Sequence, residues 1–314
     1  MENIDKNKKK GFVLVIIAAV FWGYMGVPTR NLGNLNFDPF AVSFFRTLIA
    51  AVFYFLYCLK KKPNSLKVDS KGIIFFVIYG ISAFALTFIS YNISINYVSV
   101  SIGTVLMFTC PIWVVILSHF IFGEDINKNK IIAIVLNLFG CFMIAKGYEF
   151  GNFSLSLKGV VFGLISGFSF ALQGILAKIV DEKYDKDCLL AYSFLFGSLF
   201  LIFFVDFKNT VSIFKNTNNM YFIIKNIIVI GFFNTIIANG SYVKAVEYIE
   251  ASVCSIIVSL ELVVAAIVAY FVFNEVLEIF QVIGMFMVIG SIVILNIKKK
   301  EKIDEETIEK GTLK

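Results

Sequence analysis

The chain has 314 residues, of which 59% are hydrophobic and 16% charged, with 36 phenylalanines and a mean hydropathy of +0.85. That is more apolar surface than a soluble domain of this size can bury, so a soluble fold is excluded and an all-α integral membrane protein is expected. The net charge of +6 does not point to nucleic acid, because the lysines gather at the termini and in short loops between apolar runs, where membrane orientation requires them.

In chain order, residues 1–10 form a basic tail, and the first apolar run spans Gly11 to Pro28. A basic tail before an apolar run also describes a signal peptide, but no small-residue cleavage pattern follows, so an uncleaved first helix is expected. Further runs cover Pro39–Leu59, Gly72–Tyr91, Val98–Phe122 and Lys130–Lys146, then Leu157–Val180, Asp187–Val205, Tyr221–Lys244, Ala251–Phe273 and Leu277–Ile297. Each is about 17 to 25 residues, enough at about 1.5 Å per residue to cross a hydrocarbon core of about 30 Å. Ten transmembrane helices are predicted, followed by a polar tail over 298–314. The five cysteines lie in or beside apolar runs without a CxxC pair, and read as small hydrophobes rather than disulfide or metal ligands.

The stretch Ser90–Glu124 returns as Ser241–Glu275 at a constant offset of 151, pairing Tyr91 with Tyr242, Tyr97 with Tyr248, Ser101 with Ser252 and Glu124 with Glu275. At an offset of 148, Trp22 falls on Phe170, Gly26 on Gly174 and Arg30 on Lys178. Two repeats follow, residues 11–146 and 157–297. Five helices per repeat is odd, so the second copy must enter the membrane inverted, the arrangement of transporters whose halves rock about a midplane site. With both termini in the cytoplasm, 21 Lys or Arg lie inside and 6 outside, the positive-inside bias.

Several short motifs stand on the expected helices: WG (Trp22, Gly23), FFR (Phe44, Phe45, Arg46), TCP (Thr109, Cys110, Pro111), FGE (Phe122, Gly123, Glu124), LE (Leu260, Glu261) and FNE (Phe273, Asn274, Glu275). In this order they resemble the EamA family of the drug/metabolite transporter superfamily, over nearly all of Gly11–Ile297. The resemblance implies a ten-helix bundle with a central cavity, usually in a bacterial inner membrane, carrying small metabolites such as amino acids, often outward. It does not fix the substrate. One departure stands out: the family commonly has proline after the helix 9 glutamate, where this chain has Leu262, while Pro111 is present in helix 4. Helix 4 is therefore expected to bend at mid-length and helix 9 to stay straighter.

Charges at membrane depth are the sharpest functional clues. Glu261 lies halfway along helix 9 and Arg46 within helix 2, and an uncompensated charge there costs about 2.5 to 3.5 kcal/mol on insertion scales. Each is either a buried locking residue or a substrate group, Arg46 for an anion and Glu261 for an ammonium or a proton. Polar stripes on helix 8 (Thr235, Asn239, Tyr242), helix 3 (Phe84, Thr87, Tyr91) and helix 6 (Ser166, Phe170, Gln173, Ala177) read as helix seams or as a cavity wall. The candidate substrate residues are thus Trp22, Tyr24, Arg46, Tyr91, Gln173, Asn239, Tyr242 and Glu261.

Gly159, Gly163 and Gly167 form a small-residue strip for close helix packing. Glu124 and Glu275 read mainly as caps of the next helix, with a gate as the alternative. His119, the sole histidine, reads as a packed residue. The expected activity is secondary transport, in the export direction, of a small-molecule metabolite, with membrane lipids as surroundings and with no cofactor and no metal; proton coupling and a homo-oligomer stay open. The competing readings are a lipid flippase or scramblase and a membrane-embedded enzyme, although HExxH, GxSxG and P-loop motifs are absent from the sequence.

Overall fold

The computed structural model describes residues 2–149, 156–180, 184–216 and 219–311, with side chains described between residues 6 and 295 of those segments. The side chains of the polar tail, 298–314, and of the five residues before Lys6 therefore lie outside what is described. Among the described residues the secondary structure is entirely helical.

Membrane-length helical segments are numbered in chain order: α1 (Lys6–Gly33), α2 (Pro39–Lys61), α3 (Ser70–Ile95), α4 (Val100–Phe122), α5 (Lys128–Ile144), α6 (Leu157–Ile179), α7 (Lys186–Phe204), α8 (Met220–Tyr248), α9 (Ala251–Phe273) and α10, whose apolar part is Ile279–Leu295. Eight of the described helices are long and apolar enough to cross a membrane. The two others, α5 and the apolar part of α10, are shorter and pack along one another. At about 1.5 Å per residue, 17 residues reach about 26 Å, slightly less than a full hydrocarbon core. A short surface helix, Phe207–Asn216, precedes α8 and buries Thr210, with Phe214 edge-on to Phe37 at 5.7 Å.

Local breaks recur in both repeats. In α3 the backbone widens to π-helix over Gly80–Ala85, and in α8 over Ile230–Ile237. Gly80 opens the first segment and Gly231 is the second residue of the other, 151 positions later, which carries the internal repeat upstream of Ser90. A Cβ on Gly80 would stand 2.2 Å from the Ser193 carbonyl oxygen of α7, so only glycine admits that neighbour. Near the centre of the bundle, α4 breaks at Phe108–Thr109 and α9 at Val258–Ser259. Pro111 accounts for the first break by removing an N–H from the ladder, and Thr109 Oγ1 donates to the Leu106 carbonyl at 2.6 Å.

The second break corrects the expectation of a straighter helix 9. With Leu262 in place of proline, the turn is held from outside: Asn137 Nδ2 of α5 donates to the Ile256 carbonyl at 3.2 Å, and Ser259 Oγ donates to Asn137 Oδ1 at 3.0 Å. A buried amide side chain thus replaces the lost backbone pairing.

Packing between the repeats is crossed. α1 lies against α8 and α9 of the second repeat, and α6 lies against α3 and α4 of the first. Lys10 Nζ donates to the Tyr248 hydroxyl at 2.8 Å and sits 4.5 Å from its ring centroid. Its repeat counterpart Lys158 donates to Tyr97 at 2.8 Å, 4.4 Å from that ring. Gly11 and Gly159 mark the same two contacts, where an added Cβ would meet Ile249 at 2.9 Å and Val98 at 2.7 Å. Between these ends, Trp22 of α1 meets Phe170 of α6 edge-on at 5.7 Å.

Candidate functional site

Arg46 is buried on α2 and faces the widened part of α8. Its Nε donates to Thr235 Oγ1 at 2.8 Å, its Nη2 to the Asn234 carbonyl at 3.3 Å, and its guanidinium lies 4.8 Å from the Phe88 ring centroid. A π segment leaves carbonyls without their usual partners, and α2 supplies donors to two of them: Arg46 to Asn234 and Tyr54 Oη to Ile236 at 2.9 Å. Met25, at the turn within α1, approaches Nη1 through its sulfur at 2.9 Å. The guanidinium therefore ties α1, α2, α3 and α8 together.

From Thr235 a buried polar seam continues to α6. Asn239 Nδ2 donates to the Thr235 carbonyl at 2.8 Å, and Gln173 Nε2 donates to Asn239 Oδ1 at 2.6 Å. The Gln173 carbonyl accepts from Tyr79 Oη of α3 at 2.9 Å. Trp22 and Tyr242 are also buried, with ring centroids 5.4 Å apart, and a Cβ on Gly174 would lie 2.7 Å from the Tyr242 hydroxyl. These four sequence-selected residues, Gln173, Asn239, Trp22 and Tyr242, are packed side chains in this conformation.

Glu261, Tyr91 and Tyr24 are different, being partly or substantially accessible. Glu261 follows the α9 break by two residues, in the first turn of the helix that resumes at Leu260. Tyr91 Oη shares a hydrogen bond with Thr104 Oγ1 at 3.0 Å. Whereas Tyr242 is pressed onto Gly174, the repeat counterpart of that glycine, Gly26, has open space where its Cβ would be. Gly23 lets α1 approach α9 at this level: an added Cβ would fall 2.7 Å from the Glu261 carbonyl oxygen and 2.6 Å from Val264. The WG pair thus has two separate jobs, Trp22 stacking on α6 and α8 and Gly23 admitting α9.

An ion pair stands at each end of the bundle. Lys178 at the end of α6 pairs with Glu124 after α4 at 2.8 Å, while Arg30 at the end of α1 pairs with Glu275 after α9. Each cation also stacks on a repeat-equivalent ring, Lys178 at 4.8 Å from Phe122 and Arg30 at 4.2 Å from Phe273. The reading of Glu124 as a cap of the following helix needs correction, since α5 is capped by Asn127. Glu124 instead accepts from the Ala251 N–H at 3.1 Å and the Ser252 N–H at 3.4 Å, capping α9 of the other repeat, and also takes the Ser252 hydroxyl. Burial alone would raise the Glu124 carboxyl, but hydrogen bonds from Lys178 and Ser252 hold it below its ordinary value. His119 Nδ1 lies 3.0 Å from the Glu124 carbonyl oxygen, a local contact at the end of α4.

The sequence also matches the EamA-like transporter family over residues 9–146 and 157–297. The chain belongs to that family. An uncharacterized transporter of Clostridium kluyveri is 25% identical over 301 residues, covering 93% of this chain and 95% of its own. An uncharacterized transporter of Archaeoglobus fulgidus is 25% identical, with 90% and 95% covered, and the uncharacterized transporter YetK of Bacillus subtilis is 26% identical, with 98% and 93% covered. A crystal structure superposes with a TM-score of 0.76 at 11% identity over 93% of this chain and 98% of that one, a likeness of fold. This EamA-family chain is therefore a multi-pass membrane transporter.

Sequence reasoning missed Thr235 as the partner of Arg46, Asn137 as the support of the α9 break, and Ser252 as the partner of Glu124. Thr235 carried a signal in the polar stripe of helix 8 and Ser252 as an identical residue in both repeats, while Asn137 carried none.

Proposed function

We propose that this transporter moves a small metabolite, an amino acid or related compound, outward across a bacterial inner membrane by alternating access. Its ten helices form two inverted five-helix halves, with both termini in the cytoplasm. The observation that carries this reading is the crossed packing of the repeats. Lys10 begins α1 beside Tyr248, close to the start of α9, and Lys178 ends α6 beside Glu124, which caps that same start. The beginning of one repeat's first helix and the end of the other's share one end of the bundle, as opposite polarity requires.

Within the site, Glu261 is the group available to a substrate ammonium or a proton, with Tyr91 and Tyr24 at the accessible side. Arg46 is a lock of the widened α8. Gln173, Asn239, Trp22 and Tyr242 contribute as the packed wall that a rocking motion would uncover. Reconstituted vesicles offered amino acids, nucleobases and lipids, with and without a proton gradient, test the reading. Uptake or efflux of an amino acid that is lost in Glu261→Gln supports it. Movement of lipid alone would favour a flippase instead.

A further inference from the structure

The two ends of the bundle share a carboxylate, a cation, a serine and a helix start in different states, although Lys130, 3.8 Å from Glu124, has an uncharged counterpart in Gln281. At one end Glu124 is buried, its side chain 7% exposed, and holds Lys178, the Ser252 hydroxyl and two N–H groups at the start of α9. The repeat counterparts are Glu275, Arg30, Ser101 and the start of α4. There Glu275 keeps the cation but not the cap: it is 49% exposed, and no hydrogen bond joins it to Val100 or Ser101. Ser99 caps α4 in its place, donating no charge, with its hydroxyl accepting from the Ile102 N–H at 3.2 Å. Consistent with that difference, Val100 is 60% exposed and its counterpart Ala251 is fully buried.

We infer that Glu124 and Glu275 are alternating caps, each closing one end of the transporter by seizing the start of the other repeat's fourth helix. The present conformation is closed at the Glu124 end and open at the Glu275 end. In the opposite conformation Glu275 accepts from the Val100 and Ser101 N–H groups and the Ser101 hydroxyl, while Glu124 releases Ala251 and Ser252 and retains Lys178. The cations persist in both states as tethers, so the carboxylates swing between a tethered and a capped position. A carboxylate at a helix start is favoured by the free N–H groups and the helix dipole, so each closed state has its own electrostatic lock. This inference rests on the alternating-access reading proposed above.

Single cysteines at the paired reporter positions, Val100→Cys and Ala251→Cys, test it in reconstituted full-length protein labelled with a membrane-impermeant maleimide from each side. The five native cysteines are buried, so the unsubstituted protein sets the background. In the otherwise native protein the Val100→Cys reporter reacts and the Ala251→Cys reporter is slow. Adding Glu124→Gln should raise Ala251→Cys labelling by about tenfold and lower Val100→Cys labelling in parallel, the scale of one lost charge-assisted bond. Ser252→Ala, which leaves every charge in place, should shift both reporters the same way by less, and serves if Glu124→Gln folds poorly. Glu275→Gln should leave the Ala251→Cys reporter slow. A rise at the Ala251→Cys reporter without a fall at the Val100→Cys reporter overturns the alternation, since it means local fraying of one cap. Reaction of both reporters from the same side would instead overturn the inverted architecture itself.

Discussion

Arg46 shows how a membrane charge is tolerated without an opposite charge in contact. Its donors meet Thr235 and the Asn234 carbonyl, so Arg46→Ala leaves polar groups of α8 unpaired and should destabilise the protein by about 3 kcal/mol in detergent melting. Arg46→Lys should recover little, because one ammonium cannot reproduce the planar fork. Glu261→Gln belongs to the opposite class: with no hydrogen bond to lose, it should melt within about 1 kcal/mol of the native protein while transport falls sharply. Gly23→Ala should cost about 1 to 3 kcal/mol, because the α9 backbone cannot yield to the new methyl. At this scale the sequence singled out Arg46 and Glu261, since an isolated Arg and Glu in apolar runs stand out. It could not reveal that Trp22, Gln173, Asn239 and Tyr242 are packed, because polar stripes of the same spacing serve seams and cavities alike.

At the scale of elements, the break in α4 was legible through Pro111 and the break in α9 was not. The latter depends on Asn137, more than a hundred residues earlier, and no local pattern encodes it. Asn137→Leu should therefore disturb transport more than Pro111-independent packing would suggest, lowering turnover while α5 remains inserted; native-level turnover would show that α9 holds its own turn. The π segments were equally hidden, because their hydrophobic pattern resembles that of α-helix and, in α8, the donors to the freed carbonyls come from α2. A polar cluster joins the ends of α2, α7 and α8, where Lys62 reaches Asp185 at 2.7 Å and Asp187 at 2.8 Å. Burial opposes both charges, yet the mutual hydrogen bonds hold the Lys62 ammonium above its ordinary range and the Asp185 carboxyl below its own. Asp185 then stabilises above about pH 4 and fades as pH falls through its lowered pKa, while Lys62 stabilises below about pH 10 and fades as pH rises through its raised one. The melting difference between the native protein and Lys62→Met should be flat from about pH 5 to 9 and shrink in acid; a difference that grows in acid would contradict the assignment.

For the whole molecule, the membrane class followed from composition and the family from six short motifs in order. The repeat was visible in Tyr91 and Tyr242 and in Glu124 and Glu275, although the sequence could not say that each glutamate acts on the other half. Crossed contacts join residues from about fifty to more than two hundred positions apart, which periodicity does not carry. The account depends most on opposite insertion of the two repeats, and Lys10 and Lys158 report it directly as counterparts at the start of α1 and α6. With single Lys10→Cys and Lys158→Cys variants in sealed, oriented vesicles, an impermeant thiol reagent should reach Lys158→Cys from the outer side and Lys10→Cys only from the inner side. Labelling of both from one side would contradict the account.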